Sequence, residues 1–168
     1  MIISNASPLM YLSKLNKLSL VKNLFKEIVI PKEVYDEVVV NGKKGRFLDA
    51  YKVEKAINES WIKIKEIEIE KEFEEFSSEI DIGEIAVICL AKKIKPYLVL
   101  IDDASARTIA ENLGFNVKGT LYVLIKSYKN NLITKKELKN TINELMILGF
   151  RISHEFYIQL LDELDKEK

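Results

Sequence analysis

Apolar positions fall in two patterns along this chain, short solid runs and spacings of three and four, and the two alternate. Tyr97 to Ile101 is a solid run after Pro96 and predicts a buried strand. The pattern from Ala104 to Leu113 predicts the helix that follows it. Met1 to Ser4 predicts a first strand, and Leu9, Leu12 and Leu15 a helix behind Pro8, with Ser7 as its N-cap. Further helices are expected over Leu18–Lys26, Pro31–Val40 and Phe47–Ile57, and a strand over Glu27–Ile30. Trp61 to Ile69 alternates with period two, the mark of a strand with one wet face, at a sheet edge or in an excursion. Every residue from Ile85 to Ala91 is apolar, so that helix should be covered on most of its circumference. Gly114 stops a helix, Phe115–Val117 is a short strand, and Gly119-Thr120 opens the helix Leu121–Asn130. Thr134 caps Lys135–Leu148. Ser153 caps a last helix whose Phe156, Tyr157, Leu160, Leu161 and Leu164 form a stripe, either core or the seam of a dimer. Strands alternating with helices imply a mostly parallel α/β sheet with right-handed crossovers.

The 168 residues, 48% of them hydrophobic, suit one domain with a real core, in which Trp61–Glu79 is an excursion and residues 134–168 are C-terminal helices. Lys plus Arg and Asp plus Glu both number 26, so there is no global basic field, although a local basic patch beside an acidic site fits inside a net charge of zero. The only cysteine, Cys89, excludes an internal disulfide and cysteine-rich metal sites, and its apolar neighbours make it a core residue. The only histidine, His154, follows the Ser153 cap, which disfavours zinc hydrolase and Ser/His chemistry. No apolar run approaches the ~18 residues of a membrane span, and a cytoplasmic location is expected.

Against that background the acids at element ends stand out. The strand Tyr97–Ile101 delivers Asp102 and Asp103 at its carboxyl end, where open α/β sheets bind ligands, and capping the next helix requires only one of them. Asn5 and Ser7 occupy the corresponding end of the first strand. Glu33 and Asp36 read as a solvated helix face, whereas Glu37 falls beside Val34 and Val38. Glu84 enters its helix at the amino end behind Gly83, which allows close approach, and Thr120 returns a hydroxyl to the same sheet edge, as a helix cap rather than a ligand. Asn41 to Arg46 reads as a flexible cationic loop whose Lys43, Lys44 and Arg46 are candidates for touching a phosphate backbone. Convergence of Asn5, Glu37, Glu84, Asp102 and Asp103 would give an oxygen-only site, which selects Mg²⁺ or Mn²⁺. Phosphodiester hydrolysis is the chemistry such a site serves best.

Ser4-Asn5-Ala6-Ser7-Pro8-Leu9, Ile30 to Val38, Gly83-Glu84-Ile85-Ala86, Leu100 to Asp103 with Ala106-Arg107, Lys118 to Leu121 and Gly149 to Ser153 occur in an order that resembles PIN-domain proteins, closest to an uncharacterised prokaryotic branch similar to VapC-type toxin ribonucleases. The resemblance implies a three-layer α/β/α sandwich with a parallel five-stranded sheet. It also implies an endoribonuclease dependent on Mg²⁺ or Mn²⁺, a homodimer, and a small antitoxin partner. Its acidic positions would fall on Asn5, Glu37, Glu84 and Asp103, with Asp102 beside them and Ser7 and Thr120 in support. Glu84, Asp103 and Asn5 would hold the metal. Asn5 departs from the Asp usual there and supplies one negative charge fewer, which lowers metal affinity. The competing expectation is therefore a weak or inactive PIN-like module that binds RNA or a protein partner. A phosphoacceptor receiver domain ranks last, because the first strand ends in Asn5 without an acid pair.

Overall fold

A computed structural model of the chain describes residues 1–166. Its centre is one sheet of five parallel strands, β1 (Ile2–Ser4), β2 (Ile28–Pro31), β3 (Ile62–Lys65), β4 (Leu98–Leu100) and β5 (Val117–Lys118). They lie in the order β3-β2-β1-β4-β5, with Ile3 level with Val29 on one side and Val99 on the other. The central strands are buried on both faces, which is why their sequences are solid apolar runs rather than alternations. β3 sits at an edge and shows the alternation expected of a half-wet strand; the period-two pattern continues past Lys65 but the strand does not.

Helices cover both faces to make the α/β/α sandwich. They are α1 (Ala6–Lys14), α2 (Ser19–Phe25), α3 (Lys32–Tyr35), α4 (Gly42–Lys44), α5 (Leu48–Asn58), α6 (Lys71–Glu74), α7 (Ile82–Ile94), α8 (Ala104–Asn112), α9 (Thr120–Lys129), α10 (Lys135–Ile147) and α11 (His154–Lys166). α1 packs on α5, α2 on α9, and α7 on β1 and β2. Gly83 through Ala91 of α7 are all buried, as a helix apolar on every side requires, and Cys89 is among them. Among the described residues no helix is long and apolar enough to cross a membrane.

The strand order places a topological switch point between β1 and β4, because the chain builds the sheet outward from β1 in one direction and then in the other. Loops leaving adjacent strands there part to opposite faces and open a crevice at the carboxyl ends. Asn5 leaves β1 and Asp102-Asp103 leave β4 at that crevice.

Two local expectations change. Asn5, not Ser7, caps α1: Asn5 is extended (φ −78°, ψ 174°) and its side chain accepts from the Ala6 N–H. The helix therefore starts earlier, and Ser7 lies within its first turn. Nor is Asn41–Arg46 a loop throughout. α3 runs into a π-helical segment, Asp36–Asn41, and then α4, because Val38 and Val39 are buried and Gly42 packs on α5. A Cβ at Gly42 would lie 2.9 Å from the Ala50 Cβ, a contact only glycine avoids.

Candidate functional site

At the crevice, Glu84 stands on the first turn of α7. Asp81 caps that helix, accepting from the Glu84 N–H at 2.9 Å, while Glu84 Oε2 accepts from the Asp81 N–H at 3.1 Å. The other carboxylate oxygen accepts from Asn5 Nδ2 at 3.2 Å, across 79 residues of sequence. Glu84 is only 6% exposed and Asn5 only 2%. Burial drives the Glu84 pKa up to about 7, and the charges of Asp81 and Asp103 push the same way; the hydrogen bonds from Asp81 and Asn5 offset only part of this.

Glu37 approaches from the π-helical segment, a geometry that recurs at functional sites. Its pKa is also raised, first by partial desolvation and then by Asp81. Gly83 keeps the space between these acids open. A Cβ there would sit 3.2 Å from Glu37 Oε2 and 3.3 Å from Asp81 Oδ1.

The two consecutive acids of β4 have different tasks. Exposed Asp103 caps α8, accepting from the Ala106 N–H at 2.9 Å, and its charge is felt by Glu84. Asp102 turns toward β5, where its carboxylate accepts from the Thr120 N–H at 2.7 Å and from Thr120 Oγ1 at 2.6 Å. Desolvation raises its pKa against those bonds. Thr120 is thus the partner of Asp102 rather than a helix cap, and Gly119 is needed beside it, since a Cβ there would fall 2.4 Å from Asp102 Oδ1.

The expected acids accordingly divide. Asn5 bonds Glu84, the charges of Asp103 and Asp81 act on Glu84, Glu37 lies on the Asp81 side of Gly83, and Asp102 turns away to Thr120. Ser7 is half-buried in α1. Of the cationic candidates, Lys43 Nζ is held by Glu54 at 2.8 Å and lies over the Tyr51 ring, so it is not the free cation expected of a loop; Lys44 and Arg46 are exposed. Asp81 is the residue that reading by type alone passes over. Its signal was the Asp81-x-x-Glu84 spacing, a capping box that fixes two carboxylates within one turn.

With this geometry in place, the sequence comparison is decisive: the DUF3368 family model, described as a PIN domain, matches residues 1–166. The chain belongs to the PIN-domain family. No curated relative and no solved structure matches it. PIN domains are generally nucleases that use divalent metal ions, and the nuclease-type fold and crevice of this one agree with that class.

The donor set can be tested against such an ion. Among the described residues no three acidic, histidine or cysteine side chains lie close enough to enclose one. With the Asn5 amide oxygen as third ligand beside Glu84 and Asp103, the chemistry fits: all donors are oxygen, and the charge of Asp103 raises the pKa of Glu84, which a cation would relieve.

Proposed function

We propose that this PIN domain is a metal-dependent endoribonuclease of reduced strength, cutting RNA phosphodiester bonds at the opening around Glu84. One observation carries the reading: a carboxylate 6% exposed, with a pKa of about 7, between two further acids at the switch point of the sheet. Burying charge this way is costly, and a divalent cation relieves the cost. Glu84, Asp103 and Asn5 Oδ1 are the residues proposed to hold Mg²⁺ or Mn²⁺, which when bound supplies neutralising charge for the phosphodiester. Asn5 Nδ2 and the Asp81 N–H fix both oxygens of Glu84, so the acid is oriented before substrate arrives. Glu37, open to solvent and with its pKa raised by partial desolvation and Asp81, is the group proposed to take a proton from the attacking water. Asp102 binds Thr120. Lys44 and Arg46 supply cationic charge at the rim for the RNA backbone, with Lys43 held back by Glu54. On the family resemblance alone, the proposal extends to a toxin-like role in the cytoplasm, a homodimer and a small antitoxin partner.

The Asn5–Glu84 hydrogen bond favours a second reading, in which the amide replaces the cation and the domain binds RNA or a protein partner without cutting. Incubating a panel of structured and single-stranded RNAs with Mn²⁺ or Mg²⁺ separates the two. Cutting by the wild type that EDTA and Asp103→Asn both abolish supports the nuclease. A silent wild type with cutting gained in Asn5→Asp supports the second reading. Silence in every form, at saturating metal, rejects the nuclease.

A further inference from the structure

On the β5 side of Asp102 a cavity of about 640 Å³ opens, within the ordinary ligand-pocket range of roughly 300–1,000 Å³. Asp102, Arg107, Lys118, Tyr122, Arg151 and Phe156 are among its lining residues. Elsewhere on this electrically balanced chain many cations are tied to acids, as in Lys22–Glu59 at 3.1 Å, Lys63–Glu27 at 2.6 Å and Lys92–Glu70 at 2.8 Å. At the cavity, Lys118 and Arg151 are exposed and form no ion pair among the described residues. Cations also gather on an aromatic ring here: Lys118 Nζ is 6.0 Å and Lys126 Nζ 5.3 Å from the Tyr122 centroid. Phe156, 40% exposed at the start of α11, contributes a second ring to the lining. Beside Asp102, Arg107 Nη1 donates to the Ile101 carbonyl at 3.2 Å and Nη2 pairs with Glu111 at 3.5 Å, so a guanidinium and a carboxylate share the lining.

An exposed ring beside a half-buried one, cations without an ion pair, and a guanidinium near a carboxylate are the parts that recognise an unstacked base and its flanking phosphates. Asp102 lines this cavity, and its chain neighbour Asp103 acts on Glu84, so cavity and acid cluster lie on either side of one peptide. We infer that the cavity receives one splayed base of a single-stranded RNA, with Phe156 and Tyr122 stacking on it and Lys118 and Arg151 meeting the adjoining phosphates. The inference rests on the reading of the acid cluster as an RNA site. Asp102 does not repel the strand, because both its oxygens accept from Thr120 while Lys118 and Arg151 bring positive charge to the same lining.

Binding is measured by fluorescence anisotropy in EDTA, so that no cutting occurs, with fluorescein-labelled hexaribonucleotides of each base and a hexamer carrying one central abasic ribose. Phe156→Ala and Tyr122→Ala should each weaken binding roughly 5- to 100-fold, the range of one lost base–aromatic stack. Tyr122→Phe should stay within about twofold, the abasic hexamer should bind the wild type about as weakly as the ring variants bind the intact one, and Arg151→Ala should reduce the slope of log K against log salt by about 0.7. Lys63→Ala, at the far sheet edge, should change nothing. Exposed Phe156 serves as the reference variant should Tyr122→Ala unfold. Hexamer binding indifferent to Phe156→Ala and to the missing base overturns the inference, as does a wild type that binds no hexamer. Metal-dependent cutting is scored separately. Ring-dependent binding by a protein that never cuts leaves the inference standing and removes the nuclease, and ring-independent binding by a protein that cuts does the reverse.

Discussion

α7 and α10 open with the same four-residue device. Asp81 and Glu84 exchange hydrogen bonds at 2.9 and 3.1 Å, and Thr134 and Glu137 do so at 3.2 and 2.8 Å. In both the third helical residue reaches back to the cap, satisfying backbone donors that a helix start leaves open. Their surroundings differ. Glu137 is half-exposed, Lys17 lies 3.7 Å away, and its pKa is lowered, chiefly by the Thr134 N–H. Glu84 is buried among acids and its pKa is raised to about 7. One capping box therefore does nothing but start a helix, while the other starts a helix and holds a carboxylate ready to change protonation near neutral pH. What separates the two acids here is burial and neighbouring charge, not the motif.

The largest expected effect lies in activity. Glu84→Gln should lower RNA cleavage at least about 100-fold in whichever form cuts, wild type or Asn5→Asp, as loss of a group acting in the transition state does. Glu137→Gln should leave cleavage unchanged and stability nearly so, because Gln also completes a capping box. Single-turnover cleavage alongside urea unfolding reads both, and Glu84→Gln cutting within threefold of its parent would sink the assignment.

Stability should depend on pH in opposite senses at the two boxes. Glu84 has a folded pKa near 7, above its ordinary 4.5, so its contribution is fully present below pH 4.5 and is lost as pH rises through 7. At about 1.4 kcal/mol per pKa unit this amounts to no more than about 3.5 kcal/mol. Glu37 and Asp102, also raised, add with the same sign. Glu137 is lowered, so its contribution is present above its unfolded pKa and fades as pH falls through the folded one. Urea midpoints in EDTA between pH 5 and 8.5 should fall for the wild type and flatten in Glu84→Gln. A wild-type midpoint that is level or rising across that window contradicts the burial of Glu84.

Much of this was legible in the sequence because solid apolar runs leave few options. Met1–Ser4 and Tyr97–Ile101 each bracket an observed strand, Glu27–Ile30 overlaps one that runs on through Pro31, and Ile85–Ala91 lies on the buried helix it predicts. The acid positions were legible too, as strand ends and helix starts mark the sheet edge. Orientation was not. Nothing in Asp102-Asp103 says which carboxylate turns to Thr120 and which stays by Glu84, since that depends on β5 arriving next to β4. The π-helical turn was hidden because Pro31–Val40 reads as an ordinary helix, and the Lys43–Glu54 pair because it joins separate elements.

Asn5→Asp should sharpen the contrast by an intermediate amount. The substitution removes the Nδ2 donor from Glu84 and places a further charge against a carboxylate that already resists ionising. Without metal the variant should lose about 1–3 kcal/mol, the cost of an unmet buried acceptor, and melt roughly 2–10 °C lower. Added Mn²⁺ should recover more of that loss in the variant than it adds to the wild type, because binding to the folded state alone stabilises it. Glu137, remote from the change, should keep its titration. A metal-free variant as stable as the wild type would mean that the Asn5–Glu84 hydrogen bond contributes nothing.

The smallest effect separates charge from capping within the α7 box itself. Asn caps a helix about as well as Asp, so Asp81→Asn should leave α7 and the melting temperature nearly unchanged at acid pH. The substitution deletes the charge that raises both Glu84 and Glu37, so both should titrate at lower pH. Because burial is the larger cause for each, the fall should be a fraction of a pKa unit and Glu84 should remain above 4.5. Side-chain carboxyl NMR titration, with Thr134→Asn as the matching change at the other box, resolves shifts of this size. A Glu84 pKa that drops all the way to 4.5 in Asp81→Asn would make neighbouring charge, not burial, the agent that distinguishes the two boxes.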